Sequence, residues 1–456
     1  MTVARACRTD AEQGTTTEQV NATSRVSVVG CGHVGLVMAA GLATLGHDVV
    51  GVDRDARLVG DLNAGRTGIR EEGLDDALRD GLGAGRLRFT DSYESAIPTA
   101  QFVFLAVDTP PTVGGAADLR NLRAAARSVA AWVSRWEPPI VINKSTSPVG
   151  TGALVEHILG DGDDGEGVRV VSNPEFLRQG TAMFDFLHPD RIVVGSSSRE
   201  AAEAVAGLYA GLPGERIVTD LRTAEMIKYV ANAFLAARVS FINEVARLCE
   251  SMGTNVDDVV AGISSDPRVG PHFLRPGIGY GGSCFPKDVA ALRYIGEAAG
   301  VPTPMLGAVQ ETNAMAKTGA IRRLRARLGP LEGKTIAVWG LTFKGGTEDT
   351  RESPAMEVVI LLQNEGATIR AYDPAVGPER YPFAYRSALE AVLDADALAV
   401  LTDWPEFRNV DLGIVAAAMA GRLVFDGRNL LDPQLVESAG LEYVGVGRIS
   451  TGERNR

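Results

Sequence analysis

The sequence predicts an α/β protein in which two doubly wound domains are joined by one long central helix. Three observations predict this fold. A short apolar segment, a glycine-rich turn and a helix follow one another near the N-terminus, residues 222–252 contain no proline or glycine, and strand and helix patterns alternate again after residue 329. A chain of 456 residues exceeds what one hydrophobic core supports. We therefore expect an N-terminal extension (1–24), an α/β domain (25–221), a helical domain (222–328) and a second α/β domain (329–456).

Composition and charge indicate which kinds of binding partner and which cellular compartment suit this chain. The formal net charge of −12 argues against nucleic acid or an anionic membrane as a partner, but it allows local basic pockets. No apolar run is long enough to span a bilayer, and the extension, predicted to be disordered, lacks the apolar core of a signal peptide. The cysteines are scattered without metal-ligand spacing, which predicts no metal site and a reducing cytoplasm. They are Cys7, Cys31, Cys249 and Cys284.

The first predicted strand, 25–29, runs directly into a glycine fingerprint at 30–35, Gly-Cys-Gly-His-Val-Gly. In this Rossmann-like context the glycines admit a pyrophosphate, which binds at the N-terminus of the following helix. The next strand ends in Asp53, whose carboxylate suits a ribose and repels a 2′-phosphate, so NAD is favoured over NADP; Arg54 weakens that preference. The alternative is a turn needed only for helix–sheet packing. The predicted cofactor-binding residues of this segment are Gly30, Gly32, Val34, Gly35, Asp53 and Arg54.

Polar loops follow three later strands of the same domain. They are residues 108–111, 144–151 and 172–180. The carboxyl ends of strands in a doubly wound sheet carry the ligand site, so these loops are predicted to line one crevice. Each loop alone is also compatible with an ordinary turn, because Pro, Ser, Thr and Asn all favour turns.

The sequence from Gly279 to Asp288, Gly-Tyr-Gly-Gly-Ser-Cys-Phe-Pro-Lys-Asp, is the strongest candidate for catalysis. Its glycines allow close backbone approach to a ligand. We expect Lys287 to lower the pKa of Cys284 and Asp288 to transfer protons, which is the environment of a covalent nucleophile. The alternatives are a buried structural cysteine beside a glycine turn and a surface Lys287–Asp288 ion pair of little energetic weight.

The segment 222–252 is predicted to be one long helix that joins the domains and forms a dimer seam. Lys228 and Asn232 lie four residues apart, so they share a face of this helix. A cation and an amide donor on one face can stabilise a developing oxyanion. The alternative is a solvated lysine beside an unrelated asparagine.

The last domain repeats the strand–helix alternation but lacks the tight glycine fingerprint, so a second dinucleotide is less favoured. Three of its cations, Lys344, Arg351 and Arg428, fall in loops just beyond predicted strands. Phosphate or carboxylate binding is one interpretation, because the arginine fork matches both groups. Solvated surface charge is the other.

These segments together resemble the UDP-glucose/GDP-mannose dehydrogenase family, most closely its UDP-glucose branch. The resemblance covers about residues 25–430, and its specific parts occur in order at 145–151, 173–178, 228–232, 279–288 and 342–354. It implies an N-terminal NAD domain, a central dimerisation helix and a C-terminal domain for the nucleotide sugar. It also implies a four-electron oxidation of a sugar primary alcohol to a carboxylate with two NAD, in the setting of polysaccharide biosynthesis.

The resemblance implies a role for each matching residue. Asp288 helps to remove the alcohol proton, and Cys284 forms a thiohemiacetal and then a thioester, which water hydrolyses. Lys228 and Asn232 steady the oxyanions. The other implied catalytic residues are Glu175, for acid/base work, and Thr146, which orders a water. Cofactor contacts are implied for Thr109, Thr146 and Arg351, and substrate contacts for Glu175, Phe176, Leu177, Lys228, Asn232, Arg268 (from the neighbouring subunit), Phe273, Arg275, Gly281, Lys344 and Arg428.

Three positions depart from the family pattern. His33 replaces a tyrosine, Asp108 stands where a small residue is commoner, and Gln179 replaces a second glutamate. UDP-glucose is the favoured substrate, with GDP-mannose, a UDP-N-acetylhexosamine or dTDP-glucose as alternatives. Two other functions stay open at this point: a single-hydride hydroxyacid dehydrogenase, which would not need Cys284, and a non-catalytic protein that binds NAD and a sugar nucleotide.

Overall fold

The computed structural model describes residues 23–134, 136–160 and 167–448. All but the last two residues of the predicted extension at 1–24 lie outside the described residues, and so does Cys7.

The first α/β domain contains an eight-stranded sheet in the order β3-β2-β1-β4-β5-β6-β7-β8. The order reverses between β1 and β4, and in doubly wound sheets the ligand crevice lies at this reversal. The strands are β1 (Arg25–Val29), β2 (Asp48–Val52), β3 (Leu87–Thr90), β4 (Phe102–Leu105), β5 (Ile140–Asn143), β6 (Val170–Ser172), β7 (Arg191–Ser196) and β8 (Glu215–Thr219). The helices are α1 (His33–Thr44), α2 (Ala56–Asn63), α3 (Leu74–Gly83), α4 (Tyr93–Ala96), α5 (Arg120–Ala130), α6 (Thr151–Leu159), α7 (Ala182–Leu187) and α8 (Arg199–Gly207).

One pair of neighbouring strands in this sheet is antiparallel. β7 runs opposite to β6, whereas every other neighbouring pair in the sheet is parallel. An antiparallel neighbour needs no crossover connection, unlike the parallel pairs typical of the predicted doubly wound fold. The connection between β6 and β7 therefore stays at the carboxyl end of the sheet, where it carries the loop 173–181.

The central part consists of four helices: α9 (Leu221–Met252), α10 (Val256–Ser264), α11 (Phe285–Ala298) and α12 (Pro304–Leu328). The prediction of one long helix is confirmed, because α9 has 32 residues and is about 48 Å long at 1.5 Å per residue. Asp220 caps its N-terminus by accepting a hydrogen bond from the Thr223 amide, and Gly253 ends it at a left-handed φ of 66°.

The second α/β domain contains a wholly parallel five-stranded sheet in the order β10-β9-β11-β12-β13. Its strands are β9 (Thr335–Trp339), β10 (Thr368–Tyr372), β11 (Ala397–Val400), β12 (Leu423–Asp426) and β13 (Glu442–Gly445). Its helices are α13 (Pro354–Asn364), α14 (Ala388–Val392), α15 (Leu412–Ala418) and α16 (Pro433–Ser438), with a 3-10 turn at Pro405–Asn409. The predicted class of two doubly wound domains joined by a long helix is confirmed.

Helix α9 joins the domains because its two halves pack into different cores. Near its N-terminus, Ala224 lies against β7 so closely that a side chain at Gly195 would collide with it. Near its C-terminus, Ile242, Ala246 and Cys249 are buried in the hydrophobic cluster of the second sheet. Residues placed along α9 are therefore held between the two domains.

Candidate active site

The glycine turn after β1 has the geometry that a dinucleotide requires. Gly30 has a φ of 92°, and a Cβ there would lie 2.6 Å from the carbonyl oxygen of Ala106. A Cβ on Gly35 would overlap the Gly30 carbonyl oxygen, so both positions need glycine. Gly32, the N-cap of α1, has no atom within 4 Å of its Cβ direction. The turn thus leaves open space at a helix N-terminus, which fits a pyrophosphate.

Asp53 lies beside this turn at the end of β2. Its Oδ2 accepts a hydrogen bond from the Cys31 amide at 2.8 Å, and its Oδ1 accepts one from the Asp55 amide at 3.0 Å. The carboxylate is thereby oriented at the place where the fold puts an adenosine ribose. Arg54 is exposed beyond it, and Val34 is half-buried in the first turn of α1.

His33 connects the glycine turn to the loop that follows β6. Its Nε2 lies 2.9 Å from Oε2 of Glu71, a carboxylate that is fully buried. Glu71 also accepts hydrogen bonds from the amides of Gly180 (2.8 Å) and Ala182 (2.5 Å). Glu71 lies in no recognisable sequence motif, so the sequence did not reveal that it positions residues 180–182.

The loops after β4 and β5 meet, as the crevice prediction requires. Thr109 is buried, and its Oγ1 donates a hydrogen bond to the Thr146 carbonyl oxygen at 2.5 Å. Asp108 accepts a hydrogen bond from Asn121 Nδ2 at 2.8 Å, so its carboxylate is held by α5. The two predicted cofactor threonines therefore lie together at the carboxyl edge of the sheet.

The centre of the site is a buried ion pair between Lys228 of α9 and Glu175 of the loop after β6. Lys228 Nζ lies 2.8 Å from Glu175 Oε1, and the side chains are 5% and 8% exposed. Burial raises the pKa of Glu175, but Lys228 and the hydrogen bond from the Leu177 amide outweigh it, so the pKa lies below its usual range. The pKa of Lys228 is raised, because the carboxylate outweighs the burial. A solvated Lys228, the alternative from spacing, is therefore excluded.

A second buried group combines Asn232 and Asp288. Asn232 Nδ2 donates to Asp288 Oδ2 at 2.6 Å, and Lys287 Nζ lies 2.6 Å from Asp288 Oδ1. Asp288 is 1% exposed, so the Lys287–Asp288 pair is not the surface ion pair considered as an alternative. Lys228 and Asn232 do share one face of α9, and each contacts a different carboxylate.

Cys284 is accessible at the start of α11, next to both groups. The protein packed around its sulfur raises the thiol pKa, Glu175 adds to the increase and Lys228 opposes it. The prediction that Lys287 lowers this pKa is wrong, because the Lys287 ammonium is paired with Asp288. The cation that acts on the sulfur is Lys228, supplied by another helix.

The glycines around Cys284 allow close packing against the C-terminal domain. A Cβ on Gly281 would overlap the Glu352 carbonyl oxygen, and Gly282, with a φ of 82°, faces the ring of Phe343. Phe273 has a φ of 59° and its ring centroid lies 6.0 Å from that of Phe285. The segment 279–288, the catalytic stretch predicted from the sequence, thus packs against the domain predicted to bind the nucleotide sugar.

Other predicted substrate residues surround this centre. The Phe176 ring packs under the Arg191 guanidinium (3.9 Å to the centroid) and the Lys228 ammonium (5.4 Å). Arg275 is exposed. Lys344 is half-buried, burial lowers its pKa, and among the described residues no carboxylate forms a salt bridge with it. Lys344 thus remains available for an anionic ligand.

Arg428 is neither a solvated charge nor a free anion-binding fork. Its Nε, Nη1 and Nη2 donate to the carbonyl oxygens of Leu401 (2.8 Å), Gly279 (3.1 Å) and Phe343 (3.2 Å). Both alternatives from sequence are therefore incomplete. The side chain connects the catalytic stretch to two loops of the second sheet, so it positions the site.

Arg351 and Arg268 are each held by a nearby aspartate. Arg351 donates to both carboxylate oxygens of Asp349, and its charge interacts with Cys284 and Asp108. It therefore reaches from the C-terminal domain toward the cofactor side of the cleft. Arg268 forms a similar pair with Asp266 and is 89% exposed, so it is free to contact another molecule.

Lys144 is a buried cation in this region to which sequence assigned no role. It follows β5, and its Nζ donates to Asn173 Oδ1 at 3.0 Å; Tyr209 donates to the same oxygen at 2.5 Å. Burial lowers the pKa of Lys144 to about 7. The signal was that Lys144 and Asn173 directly follow neighbouring parallel strands.

The second α/β domain has an aspartate after β10, in the place that Asp53 occupies after β2. Asp373 Oδ2, however, accepts hydrogen bonds from the amides of Leu341 (2.8 Å) and Thr342 (3.0 Å) and from Trp404 Nε1 (3.1 Å). Asp53 also accepts hydrogen bonds from two backbone amides but stays half-buried. Asp373, in contrast, is 4% exposed and has Thr342 and Trp404 as further donors, so it is not available to a ribose. The geometry explains why a second dinucleotide is less favoured in this domain.

The described part of the chain holds no group of three or more His, Cys, Asp or Glu side chains placed to bind a metal ion. Within the same residues, no helix combines the length and apolarity needed to cross a bilayer.

An open glycine turn at a helix N-terminus, beside the point where the strand order of a doubly wound sheet reverses, is the arrangement of a dinucleotide-binding domain. Three family models match consecutive parts of the chain: the NAD binding domain (24–213), central domain (222–315) and UDP binding domain (337–433) of the UDP-glucose/GDP-mannose dehydrogenase family. The chain belongs to this family. It is an NAD-dependent nucleotide-sugar dehydrogenase, and this decides against the hydroxyacid dehydrogenase and the non-catalytic binding protein.

Individual relatives agree with the family match. The chain is 40% identical over 431 residues to a UDP-glucose 6-dehydrogenase of Bacillus subtilis, covering 93% of each chain. It is 42% identical over 447 residues to that of Pseudomonas aeruginosa, covering 94% of this chain and 98% of the relative. A solved UDP-glucose dehydrogenase from Pyrobaculum islandicum superimposes with a TM-score of 0.88 at 37% identity, covering 94% and 99%.

Proposed function

We propose that the chain oxidises UDP-glucose to UDP-glucuronate with two NAD. The relatives named above are UDP-glucose dehydrogenases. The observation that carries the proposal is that the exposed Cys284 caps the helix whose first turn holds the buried Asp288, in a protein that also buries the Lys228–Glu175 pair. A nucleophile beside a fixed cation and a fixed carboxylate suits an oxidation that passes through a covalent intermediate.

The proposed chemistry uses the two buried groups in turn. The glycine turn and Asp53 would hold NAD, which would supply the hydride acceptor for each oxidation. Asp288 takes the proton of the C6 alcohol. The Cys284 thiol then adds to the aldehyde: its sulfur bonds to the carbon, its proton passes to the carbonyl oxygen, and Lys228 and Asn232 stabilise the negative charge that develops on that oxygen.

The second oxidation converts the thiohemiacetal into a thioester. Water, ordered by Thr146, attacks the thioester carbon; the C–S bond breaks and Cys284 leaves as thiolate. The low pKa of Glu175 keeps it ionised at neutral pH, so it is available to accept the proton of that water. The tether prevents loss of a free aldehyde, and hydrolysis makes the sequence effectively irreversible.

The proposed ligand contacts follow the two sides of the cleft. On the cofactor side they involve the glycine turn, Thr109, Thr146 and Arg351. On the sugar-nucleotide side they involve Phe273, Arg275, Gly281 and Lys344, with Phe176 and Leu177 beside the reacting carbon. We also retain the predicted division into domains at 25–221, 222–328 and 329–456.

The test is the stoichiometry of NADH release from a panel of nucleotide sugars. We expect two NADH per UDP-glucose, and slower or no turnover of GDP-mannose, UDP-N-acetylhexosamines and dTDP-glucose. Cys284→Ser removes the thiolate and should stall before the second NADH. One NADH per sugar in the wild type would refute the thioester scheme, and a preference for another sugar would refute only the substrate.

We further propose a homodimer along α9. Five apolar side chains on one face of this helix are exposed: Val230, Phe234, Phe241, Leu248 and Met252. A stripe of this length on a helix normally packs against a partner. Arg268, exposed and held by Asp266, would then reach the neighbouring subunit. Sedimentation should give a dimer, and Phe234→Asp should shift it toward monomer; a monomeric wild type would contradict the proposal.

The compartment we propose is the reducing cytoplasm, with the product used in polysaccharide biosynthesis. The three cysteines in the described residues, Cys31, Cys249 and Cys284, are free thiols. A catalytic thiolate requires such an environment. A functional enzyme after oxidation in the absence of reductant would count against this placement.

A further inference from the structure

The side chain of Gln179, in the NAD-binding domain, contacts the C-terminal domain. It lies in the loop after β6, and its Nε2 donates to Asp349 Oδ2 at 3.0 Å, although the two residues are 170 positions apart. Asp349 in turn accepts four hydrogen bonds from Arg351: from the backbone amide at 2.9 Å, from Nε at 2.9 and 3.1 Å, and from Nη2 at 2.6 Å. One carboxylate therefore joins Gln179 of one domain to Arg351 of the other.

The domains are in close contact around this hydrogen bond. A Cβ on Gly180 would lie 2.7 Å from the Gly346 carbonyl oxygen, so the two backbones touch. The Arg70 guanidinium stacks over the Trp404 ring at 5.4 Å from its centroid. The Gln179–Asp349 bond is thus the polar part of a packed contact that spans the cleft.

The chemistry of the bond requires an amide at position 179. Burial raises the pKa of Asp349, but the hydrogen bonds from Arg351 and Gln179 outweigh this effect and keep the carboxyl ionised at neutral pH. An ionised carboxylate accepts hydrogen bonds and cannot donate them, so its partner must supply an N–H. A glutamate at position 179, as in the family pattern, would place a second negative charge against Asp349.

Arg351 lies where the C-terminal domain contacts the NAD-binding domain, because its partner Asp349 accepts the Gln179 hydrogen bond. Its charge interacts with Cys284 and with Asp108, which lies in the loop after β4 beside the predicted cofactor residue Thr109. Arg351 is therefore a cation of the C-terminal domain that acts on the NAD side. Its orientation depends on Asp349, and the position of Asp349 relative to the NAD-binding domain depends on Gln179.

We propose that Gln179 is a positioning residue that fixes Arg351 across the interdomain cleft and so determines how tightly the closed cleft holds the cofactor. The proposal depends on one part of the proposed function, namely that NAD binds at the glycine turn. The unpartnered Oε1 of Gln179 is buried, so the same amide also has an acceptor left for a ligand or water in the cleft.

Gln179→Glu is the direct test, since it retains the size of the side chain and replaces the donor by a charge. We expect the KM for NAD to rise about tenfold or more at neutral and alkaline pH, the scale of a lost hydrogen bond to a charged group, with a smaller change in kcat. Gln310→Glu is the matched control, because Gln310 accepts a hydrogen bond from Arg293 on the exposed side of α12. It should leave the KM for NAD unchanged.

The pH profile separates this role from simple loss of stability. Two carboxylates within hydrogen-bonding distance cannot both stay ionised, so in the variant either the new carboxyl at position 179 or that of Asp349 should have a raised pKa. The KM defect of Gln179→Glu should then shrink as the pH falls and one proton is shared. The titratable groups Cys284 and Asp108 also interact with Arg351, and both are unchanged in the variant, so the wild type provides their contribution to the pH profile.

A double-mutant cycle completes the test. Gln179→Glu with Asp349→Asn restores one amide and one carboxylate across the domain contact, so its KM for NAD should be lower than the product of the two single effects predicts. NAD affinity measured by fluorescence titration without sugar should follow the same order. Additive single effects, or a Gln179→Glu enzyme that behaves as Gln310→Glu does, would overturn the proposal. Neither outcome depends on which nucleotide sugar is oxidised.

Discussion

At the scale of single residues, the site is decided by how buried charges are paired. Lys228 and Glu175 neutralise each other in a region from which water is largely excluded, and Asp288 is shared by Asn232 and Lys287. A buried ion pair adds little net stability, but removing one partner leaves an uncompensated charge. The pair therefore serves to place a cation and a carboxylate beside Cys284.

Lys228→Met should lower both stability and activity. Removing the cation strands Glu175, and breaking a buried pair costs about 3–5 kcal/mol of unfolding free energy. The pKa of Glu175 is depressed in the wild type, so its contribution to stability is present above the unfolded pKa and is lost as the pH falls through the folded pKa. Urea unfolding of the wild type and of Lys228→Met at several pH values should show that their difference in unfolding free energy becomes smaller in acid. A difference that stays constant with pH would contradict the pairing of Lys228 with Glu175. Lys228→Met with Glu175→Gln is the control that removes both charges.

At the scale of elements, α9 organises the site by contacting the NAD-binding domain and the catalytic stretch at once. One turn before Lys228 it carries Glu225, whose carboxylate accepts hydrogen bonds from the amides of Gly150 and Gly152, both at 2.6 Å. These amides belong to the N-terminus of α6, directly after the loop that contains Thr146. Glu225 is thus a cap supplied by another helix, which links the Thr146 loop to the helix that carries Lys228.

Glu225→Ala should release this loop. Loss of the cap should cost about 1–3 kcal/mol, because two buried N–H groups lose their acceptor. Thermal unfolding should show a lower Tm for the variant. Because Thr146 is proposed to order the hydrolytic water, kcat should decrease by a larger factor than the KM for NAD changes. Glu203→Ala, which removes an exposed carboxylate paired with Arg199 on α8, serves as the control. An unaltered kcat in Glu225→Ala would argue against the link between the loop and hydrolysis.

At the scale of the whole molecule, the site exists only where the two α/β domains and the central helices meet. Arg428 provides the clearest example, because its three hydrogen bonds connect two loops of the second sheet to Gly279 of the catalytic stretch. The contact between Gln179 and Asp349 closes the cleft on the other side. The Arg428 contacts hold the segment 279–288 against the second sheet, and the Gln179–Asp349 contact joins the two α/β domains.

Arg428→Lys should weaken nucleotide-sugar binding without removing the charge. A lysine ammonium cannot reproduce the planar fork that reaches three carbonyl oxygens in different directions. We expect the KM for the nucleotide sugar to rise about tenfold, the loss of one to two hydrogen bonds, while the affinity for NAD alone is retained. Steady-state kinetics with each ligand varied in turn would measure this. An equal loss of NAD affinity would indicate general unfolding instead of local misplacement of the catalytic stretch.

The sequence by itself determined the features that are local in the chain. The glycine fingerprint, the acid after β2, the long helix and the catalytic stretch each lie within a few residues or obey a short period, so their spacing alone revealed them. The shared face of Lys228 and Asn232 followed from helical periodicity in the same way.

Only the tertiary structure decided which groups pair. The Arg428–Gly279 contact spans 149 positions and the Gln179–Asp349 contact spans 170. The cation acting on Cys284 proved to be Lys228 of another helix and not its neighbour Lys287. Charge pairing depends on distance and burial in space, and a linear pattern contains neither, so these assignments required the packed domains.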